Sequence, residues 1–139
     1  MAQILLVDDD VDICRTIPHN LTQAGHQVIC ANNGVEALQF LHGQRPALVL
    51  LDIGMPGLDG IQICRQLRHD PATASIPIFF ITVRGDIESK IAAYEAGADD
   101  YLVKPFDLQE LDLRIGVLLR EKLDWRESKA PDPSSQPSV

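Results

Sequence analysis

Five short and mostly apolar blocks, QILLV, QVICA, ALVLL, IPIFFI and DYLV, recur along the chain, each followed by a segment of helical period. Nothing else in the sequence restricts the available folds as strongly. Apolar runs of four to six residues suit strands that are covered on both faces, as in a parallel sheet. Between and after them the spacing changes. Ile13, Ile17 and Leu21 lie four apart, Val35, Leu38 and Leu41 three apart, and Ile61, Cys64 and Leu67 repeat the threefold step. Ile87, Ile91 and Ala98 offer a fourth helical face, and Leu108, Leu111, Ile115, Leu118 and Leu119 a fifth. Strand then helix, five times over, predicts an α/β fold with a parallel sheet.

The punctuation agrees with the period. Gly25, Gly43 and Gly97 fall just after helical segments, where a left-handed C-terminal residue is wanted, and Asp12, Asn33 and Asp59 stand where N-caps belong. Pro18 interrupts the first helical pattern, where it removes a backbone hydrogen bond at about 3 kcal/mol or kinks the helix; the helix is expected nonetheless. From Arg126 the composition turns to RESKAPDPSSQPSV, with almost nothing to bury. The folded domain is therefore expected over 1–125, and 126–139 as a disordered tail or the start of a linker.

With 139 residues and 45% hydrophobic content, the chain suits one domain with a sizeable core. A formal charge of −8, from 20 acids against 12 bases, leaves no broad basic face for nucleic acid or anionic lipid. Cys14, Cys30 and Cys64 are widely spaced, lack a CxxC pair and sit in apolar segments, so reduced, buried thiols and a cytoplasmic location are expected. MAQILLVDDD has neither a charged n-region nor a long h-region, and no apolar run approaches the roughly 20 residues of a membrane span.

Parallel strands joined by right-handed crossovers place all their C-terminal ends on one sheet edge, where open α/β sheets bind ligands. The first strand ends in Asp8, Asp9 and Asp10, the third in Asp52, the fourth in Thr82, and the fifth in Lys104 followed by Pro105. Two unit charges about 4 Å apart repel by roughly 4 kcal/mol at an effective dielectric near 20, so aspartates gathered in one crevice need cations. One lysine is not enough. An all-oxygen donor set suits a hard ion such as Mg²⁺, which keeps several waters and shares its coordination with phosphate. Asp52 beside such an ion, with the Lys104 ammonium near and the Thr82 hydroxyl available, makes up the parts of a phosphoryl-transfer site with a carboxylate nucleophile. Singly, each residue has an ordinary explanation: a turn aspartate, a β-branched strand residue, a solvated lysine. Asp10 reads as a helix cap before it reads as a metal ligand. Convergence at successive strand ends is what the ordinary explanations leave out.

ILLVDDD, LVLLDIGMPGLDG, FFIT and YLVKPFD, in this order and spacing, resemble the receiver domain of bacterial two-component response regulators over approximately Gln3 to Lys122. The resemblance implies a (βα)5 flavodoxin-like fold, a five-stranded parallel sheet of order 2-1-3-4-5 with helices on both faces. It implies Asp52 as phosphoacceptor, taking a phosphoryl group from the phosphohistidine of a sensor histidine kinase or from a phosphotransfer protein. It implies Mg²⁺ held by Asp9, Asp52 and the Gly54 carbonyl with Asp8 orienting it, Thr82 and Lys104 on the phosphoryl oxygens, and a cis peptide before Pro105. Thr82 and Tyr101 would form the switch, with the ring turning inward as Thr82 moves toward the phosphate. The output surface would be the fourth helix, fifth strand and fifth helix, engaging a downstream effector, a fused output domain or a second copy in a homodimer. Such a chain is a phosphoacceptor signalling domain that promotes its own phosphorylation and dephosphorylation, not an enzyme acting on a separate substrate. It touches neither nucleic acid nor membrane directly. The fifth helix, from Leu108 to about Trp125, would be roughly 27 Å long, more than the sheet needs, which leaves its stripe free for a dimer seam or a connector.

Three positions depart from the family pattern. Val83 is bulkier than the small residue usual after the threonine, so it is expected to narrow access to the phosphoryl group. Gly54 and Arg84, which flank the attacking water in the family, offer no carboxylate or amide to orient it, and a long-lived phosphorylated state is expected. The rival readings fit less well. A receiver-like module that is never phosphorylated would not need the full acid, Thr and Lys set. An aspartyl phosphatase would want DxD where the chain has DIGMPG, and an FMN carrier would be repelled by three aspartates after the first strand.

Overall fold

The fold was analysed in a computed structural model that describes residues 2–128, with side chains described as far as Arg120. Five strands and five helices alternate: β1 Gln3–Val7, α1 Ile13–Gln23, β2 Gln27–Ala31, α2 Gly34–Gly43, β3 Leu48–Leu51, α3 Gly60–His69, β4 Ile78–Thr82, α4 Ile87–Ala96, β5 Asp100–Val103 and α5 Leu108–Ser128. All strand pairs are parallel, in the order β2-β1-β3-β4-β5. The alternation anticipates the parallel sheet, and the order is that of the flavodoxin-like fold that the resemblance implies.

Side-chain alternation divides the core into two layers. Ile4 and Leu6 of β1, Leu48 and Leu50 of β3, and Phe79 and Ile81 of β4 face α1 and α5, where they meet Ile17, Leu21, Leu111 and Ile115. Leu5, Val7, Val49, Leu51, Ile78 and Phe80 face the other way, onto Ala37, Leu41, Ile63, Leu67, Ala93 and Ala96 of α2, α3 and α4. Burial on both faces is why these strands read as apolar runs rather than as alternating patterns. Arg68 ties α3 to the loops that lead into β4 and β5, donating to the carbonyls of Gly97, Ala74 and Ile76 and pairing with Asp99 at 2.8 Å.

Several local expectations change. Asn33 and Asp59 cap α2 and α3, Asp59 in a reciprocal box with Gln62, but Asp12 makes no side-chain cap. Asp10 takes that part, its carboxylate accepting from the Asp12 and Ile13 amides. Asp86 caps α4 through the Ser89 amide and hydroxyl, which hold its carboxyl below the usual carboxylate range. Gly25 and Gly97 are left-handed as expected, whereas Gly43 is the last residue of α2 and Gly57 supplies a positive φ instead. Pro18 stays inside α1.

Two helical faces also rotate. In α2 the buried pair is Ala37 and Leu41, and Val35 is exposed; in α4 the buried residues are Ala93 and Ala96, while Ile87 is 67% exposed and Ile91 and Tyr94 are both 49% exposed. The large apolar residues marked the stripe in the sequence, yet small alanines are what allow these helices to sit close to the sheet.

Cys14 and Cys30 are not reduced thiols. They form a disulfide between the first turn of α1 and β2, their Cα atoms 6.0 Å apart, and a separation of 16 residues carries no hint of the pairing. Cysteine usage therefore gives no argument for a reducing compartment. Cys64 is free and buried, and desolvation pushes its thiol up to about 11. Among the described residues no helix is long and apolar enough to cross a membrane. α5 runs through Ser128, two residues past the change of composition at Arg126; the expected Pro/Ser-rich tail beyond it lies outside the described residues.

The β3–α3 connection depends on one close approach. A Cβ on Gly60 would stand 2.1 Å from the Asp52 carbonyl oxygen, a backbone atom fixed by the sheet. Gly60→Ala is expected to lower unfolding free energy by about 2 kcal/mol or more, read as a fall in the urea midpoint; an unchanged midpoint would show that the loop yields freely.

Candidate functional site

Sheet register brings the strand ends level. Val7 pairs with Ala31 on one side and Leu51 on the other, and Leu51 aligns with Phe80. The ladder then runs one step further at each end: the Asp8 amide donates to the Ala31 carbonyl, the Asp52 amide to that of Val7, and the Lys104 amide to that of Thr82. Asp8, Asp52, Thr82 and Lys104 are thereby fixed by backbone hydrogen bonds on one edge, as the topology requires.

Asp8 and Asp52 are buried, at 1% and 7% exposure, and Asp9 is exposed between them and solvent. One carboxylate oxygen from each of the three lies within 4.8 Å of the others. Asp10 is not among them; its amide donates to Asp8 Oδ1 at 2.9 Å while its own carboxylate caps α1, so the cap reading of Asp10 stands. Lys104 Nζ sits 2.7 Å from Asp8 Oδ2 and 3.7 Å from Asp52 Oδ2. It thus bridges the two buried acids and leans toward Asp8. Burial drives the Asp8 carboxyl above the usual carboxylate range, with Asp52 adding to the rise and the Lys104 and Asp10 hydrogen bonds opposing it.

A crevice with three converging carboxylates and one lysine chemically favours a small, hard cation over any anion on its own. The donor set is all oxygen, and the Gly54 amide, 3.4 Å from Asp52 Oδ1, holds the turn that follows the acid. These residues fit a divalent ion such as Mg²⁺.

A family model described as the response regulator receiver domain matches residues 4–116. The chain belongs to the response regulator receiver family. It is 41% identical over 120 residues to the DNA-binding dual master transcriptional regulator RpaA of Synechocystis, covering 86% of this chain and 50% of that protein. It is 45% identical over 118 residues to the response regulator MprA of Mycobacterium leprae, covering 85% and 51%. The chain spans about half the length of the curated relatives it matches. Among solved structures, the chemotaxis protein CheY4 of Vibrio cholerae superposes with a TM-score of 0.81 at 30% identity, covering 85% of this chain and 98% of that one. The receiver domain of the Francisella response regulator 1452 does so at 0.80 and 30%, covering 87% and 98%. The protein is thus a receiver domain of the two-component type, a signalling domain.

In this receiver domain Thr82 closes β4 on the same sheet edge. Thr82 is fully buried and its Oγ1 accepts from the Arg84 amide at 3.3 Å. The Lys104–Pro105 peptide is cis. Tyr101 is buried, its ring 6.3 Å from Phe80 and 6.4 Å from Tyr94, with Lys90 Nζ 6.0 Å above it, and its hydroxyl donates to the Arg84 carbonyl. Val83 is 71% exposed and forms, with Lys104, Pro105 and Phe106, one wall of a groove of about 510 Å³ that runs along α1. The approach of Arg84 over Gly54 has no sequence signal, because it depends on the course of the β4–α4 loop.

Because Asp8 is raised in the folded state, folding favours its protonated form. The carboxylate's penalty sets in as pH climbs from the ordinary 3.8 and is fully present above the raised value. Asp8→Asn is accordingly expected to raise the urea midpoint at pH 7 in metal-free buffer with no change of slope. A lowered midpoint would mean that the Lys104 bond outweighs burial.

Proposed function

We propose that this receiver domain takes a phosphoryl group onto Asp52 in a Mg²⁺-dependent transfer, from the phosphohistidine of a sensor histidine kinase or of a phosphotransfer protein. The observation that carries this is Lys104 standing within 3.7 Å of Asp52 and bonded to Asp8, in a crevice of three carboxylates. An Asp52 oxygen attacks phosphorus, the bond from phosphorus to the imidazole nitrogen breaks, and its electron pair leaves with the imidazole. Asp9, Asp52 and the Gly54 carbonyl would hold the cation, with Asp8 orienting it. When bound, Mg²⁺ would supply charge neutralisation at the phosphoryl oxygens. Lys104 and the Thr82 hydroxyl take those same oxygens, and the chain keeps the Asp52 oxygen in line with the leaving imidazole.

The output is read at α4, β5 and α5. Ile87, Ile91 and Tyr94 leave an apolar face on α4 that a partner or a second copy would cover. The matched segment makes up about half of each relative, which supports a fused output domain as the downstream element, with a separate effector protein as the other form.

Incubation with acetyl phosphate and Mg²⁺ is expected to add one phosphoryl group by intact mass, and chelation of the metal or Asp52→Asn to abolish it. A stoichiometric adduct on Asp52→Asn would overturn the assignment.

Val83 lines the groove beside Lys104 and limits the approach of water to the acyl phosphate, while Gly54 and Arg84 present no group that orients water for attack. The phosphorylated state is therefore long-lived. Val83→Ala is expected to shorten its half-life severalfold, followed as loss of the mass adduct after donor removal; an unchanged half-life would reject the role of Val83.

A further inference from the structure

Cys14 and Cys30 are joined beside the crevice, and phosphoryl transfer to Asp52 gives that bond no part. A closed circuit runs through it. The Cys14 amide donates to the Asp10 carbonyl at 3.1 Å, the Asp10 amide to Asp8 Oδ1 at 2.9 Å, and the Asp8 amide to the Ala31 carbonyl at 3.1 Å. Ala31 follows Cys30 in β2, and the bond from Cys30 back to Cys14 closes the ring. The loop that carries Asp8 and Asp9 is thus held at one end by the β1–β2 ladder, where Leu6 pairs with Cys30 and Val7 with Ala31. At its other end it is held by a covalent tie between α1 and that same strand. The Cys14 sulfur also touches the Asp8 carbonyl oxygen, at 3.3 Å.

The tie is open to exchange chemistry. β2 is an edge strand and both of these cysteines are half-buried, whereas Cys64 is buried in the core. Thiol–disulfide exchange requires access to sulfur. The Cα separation of 6.0 Å lies in the range that a disulfide spans without backbone movement, so one fold accommodates both the disulfide and the dithiol. Reduction adds two electrons and two protons: a thiolate of a dithiol reductant attacks one sulfur, and the S–S electron pair leaves on the other. The reductant's second thiol then resolves the mixed disulfide, leaving two thiols on this chain and a disulfide on the reductant. The Cys14 thiol so formed carries a proton that the Asp8 carbonyl, or Asn32 Oδ1 at 3.6 Å, can accept, a weak bond in place of a covalent one.

We propose that the Cys14–Cys30 pair is a redox-reversible clamp on the acid loop: the disulfide holds Asp8 and Asp9 in place beside Asp52, and a dithiol reductant frees α1 from β2 and loosens the loop. The cation site is weakened with it. The consequence for phosphorylation rests on Asp52 being the phosphoacceptor. A disulfide that only steadies the fold, the alternative, would raise the urea midpoint and leave the cation requirement untouched.

The test uses the full chain in its disulfide form, after reduction with dithiothreitol, and after reoxidation with glutathione disulfide, beside a Cys14→Ser, Cys30→Ser double variant. Maleimide labelling in denaturant, read by intact mass, assigns the state: one labelled thiol in the disulfide form and three after reduction. In metal-free buffer, amide hydrogen exchange over residues 8–14 is expected to quicken on reduction, by a larger factor than over β4. With acetyl phosphate as donor, the Mg²⁺ concentration that gives half-maximal adduct formation rises about fivefold on reduction, the low end of ordinary coupling between sites. Reoxidation restores it. The double variant matches the reduced protein and does not respond to reductant. An equal Mg²⁺ requirement in the two states, or equal exchange over residues 8–14, would overturn the proposal while leaving Asp52 as acceptor. Three labelled thiols persisting after glutathione disulfide would do the same. Absence of an adduct on the disulfide form, or an undiminished one on Asp52→Asn, would remove the acceptor assignment and this proposal with it.

Discussion

Crowding of Asp8, Asp9 and Asp52 at one edge of a parallel sheet is the constraint to which the rest of the molecule answers. Like charges at such separations repel, and two of these acids are withdrawn from water, so the site opposes folding rather than assisting it. Support comes from the two-layered core beneath. β1 and β3 are buried along nearly their whole length, and their last residues are level in the ladder, so the carboxylates cannot relax apart without breaking strand pairing. Lys104 relieves part of the repulsion from the opposite side by bridging Asp8 and Asp52. Its approach depends on β5 lying beside β4 at the sheet margin. A site of this kind is pre-paid in stability and favours whatever cation enters it.

The parallel architecture was legible because strands buried on two faces leave apolar blocks of strand length, and the crevice because strand ends must converge on one edge. Asp52 stood out for that reason: an acid closing the LVLL block has no place within the sheet and must lie at its rim. What the sequence hid was set by size and by distance in space. Ile87 and Ile91 carry the hydrophobicity of α4, but Ala93 and Ala96 carry its packing, since only small side chains let the helix approach. Cys14 and Cys30 meet because α1 crosses β2, which no local pattern encodes. The preference of Lys104 for Asp8 over Asp52 and the reach of Arg84 across Gly54 depend on side-chain direction at the ends of separate strands.

The β4–α4 loop joins the crevice to the outer surface through a short hydrogen-bonded chain. Thr82 Oγ1 accepts from the Arg84 amide, and the Arg84 carbonyl accepts from Tyr101, whose ring is packed against Phe80 and Tyr94. On the proposed function, the Thr82 hydroxyl donates to a phosphoryl oxygen, and the movement that brings it there lengthens its contact with the Arg84 amide and so changes the anchor to which Tyr101 is tied. The buried ring seen here is the packing that an intact anchor supports.

Whether so small a change can move a helix depends on how firmly the helix is held. α1 is anchored by Ile17 and Leu21, both fully buried, and α5 by Leu111 and Ile115. α4 instead buries two alanines and leaves Ile87, Ile91 and Tyr94 outside. At about 25 cal/mol per Å² of apolar surface, an alanine methyl contributes a fraction of what a leucine side chain does. Of these three helices α4 is the most lightly anchored, and on the proposed function it is the one to answer a coupling of about 1–3 kcal/mol, the usual size of such effects. Its exposed apolar face follows from the same economy of contact: side chains that would have locked the helix to the sheet are turned outward, where a partner can take them up.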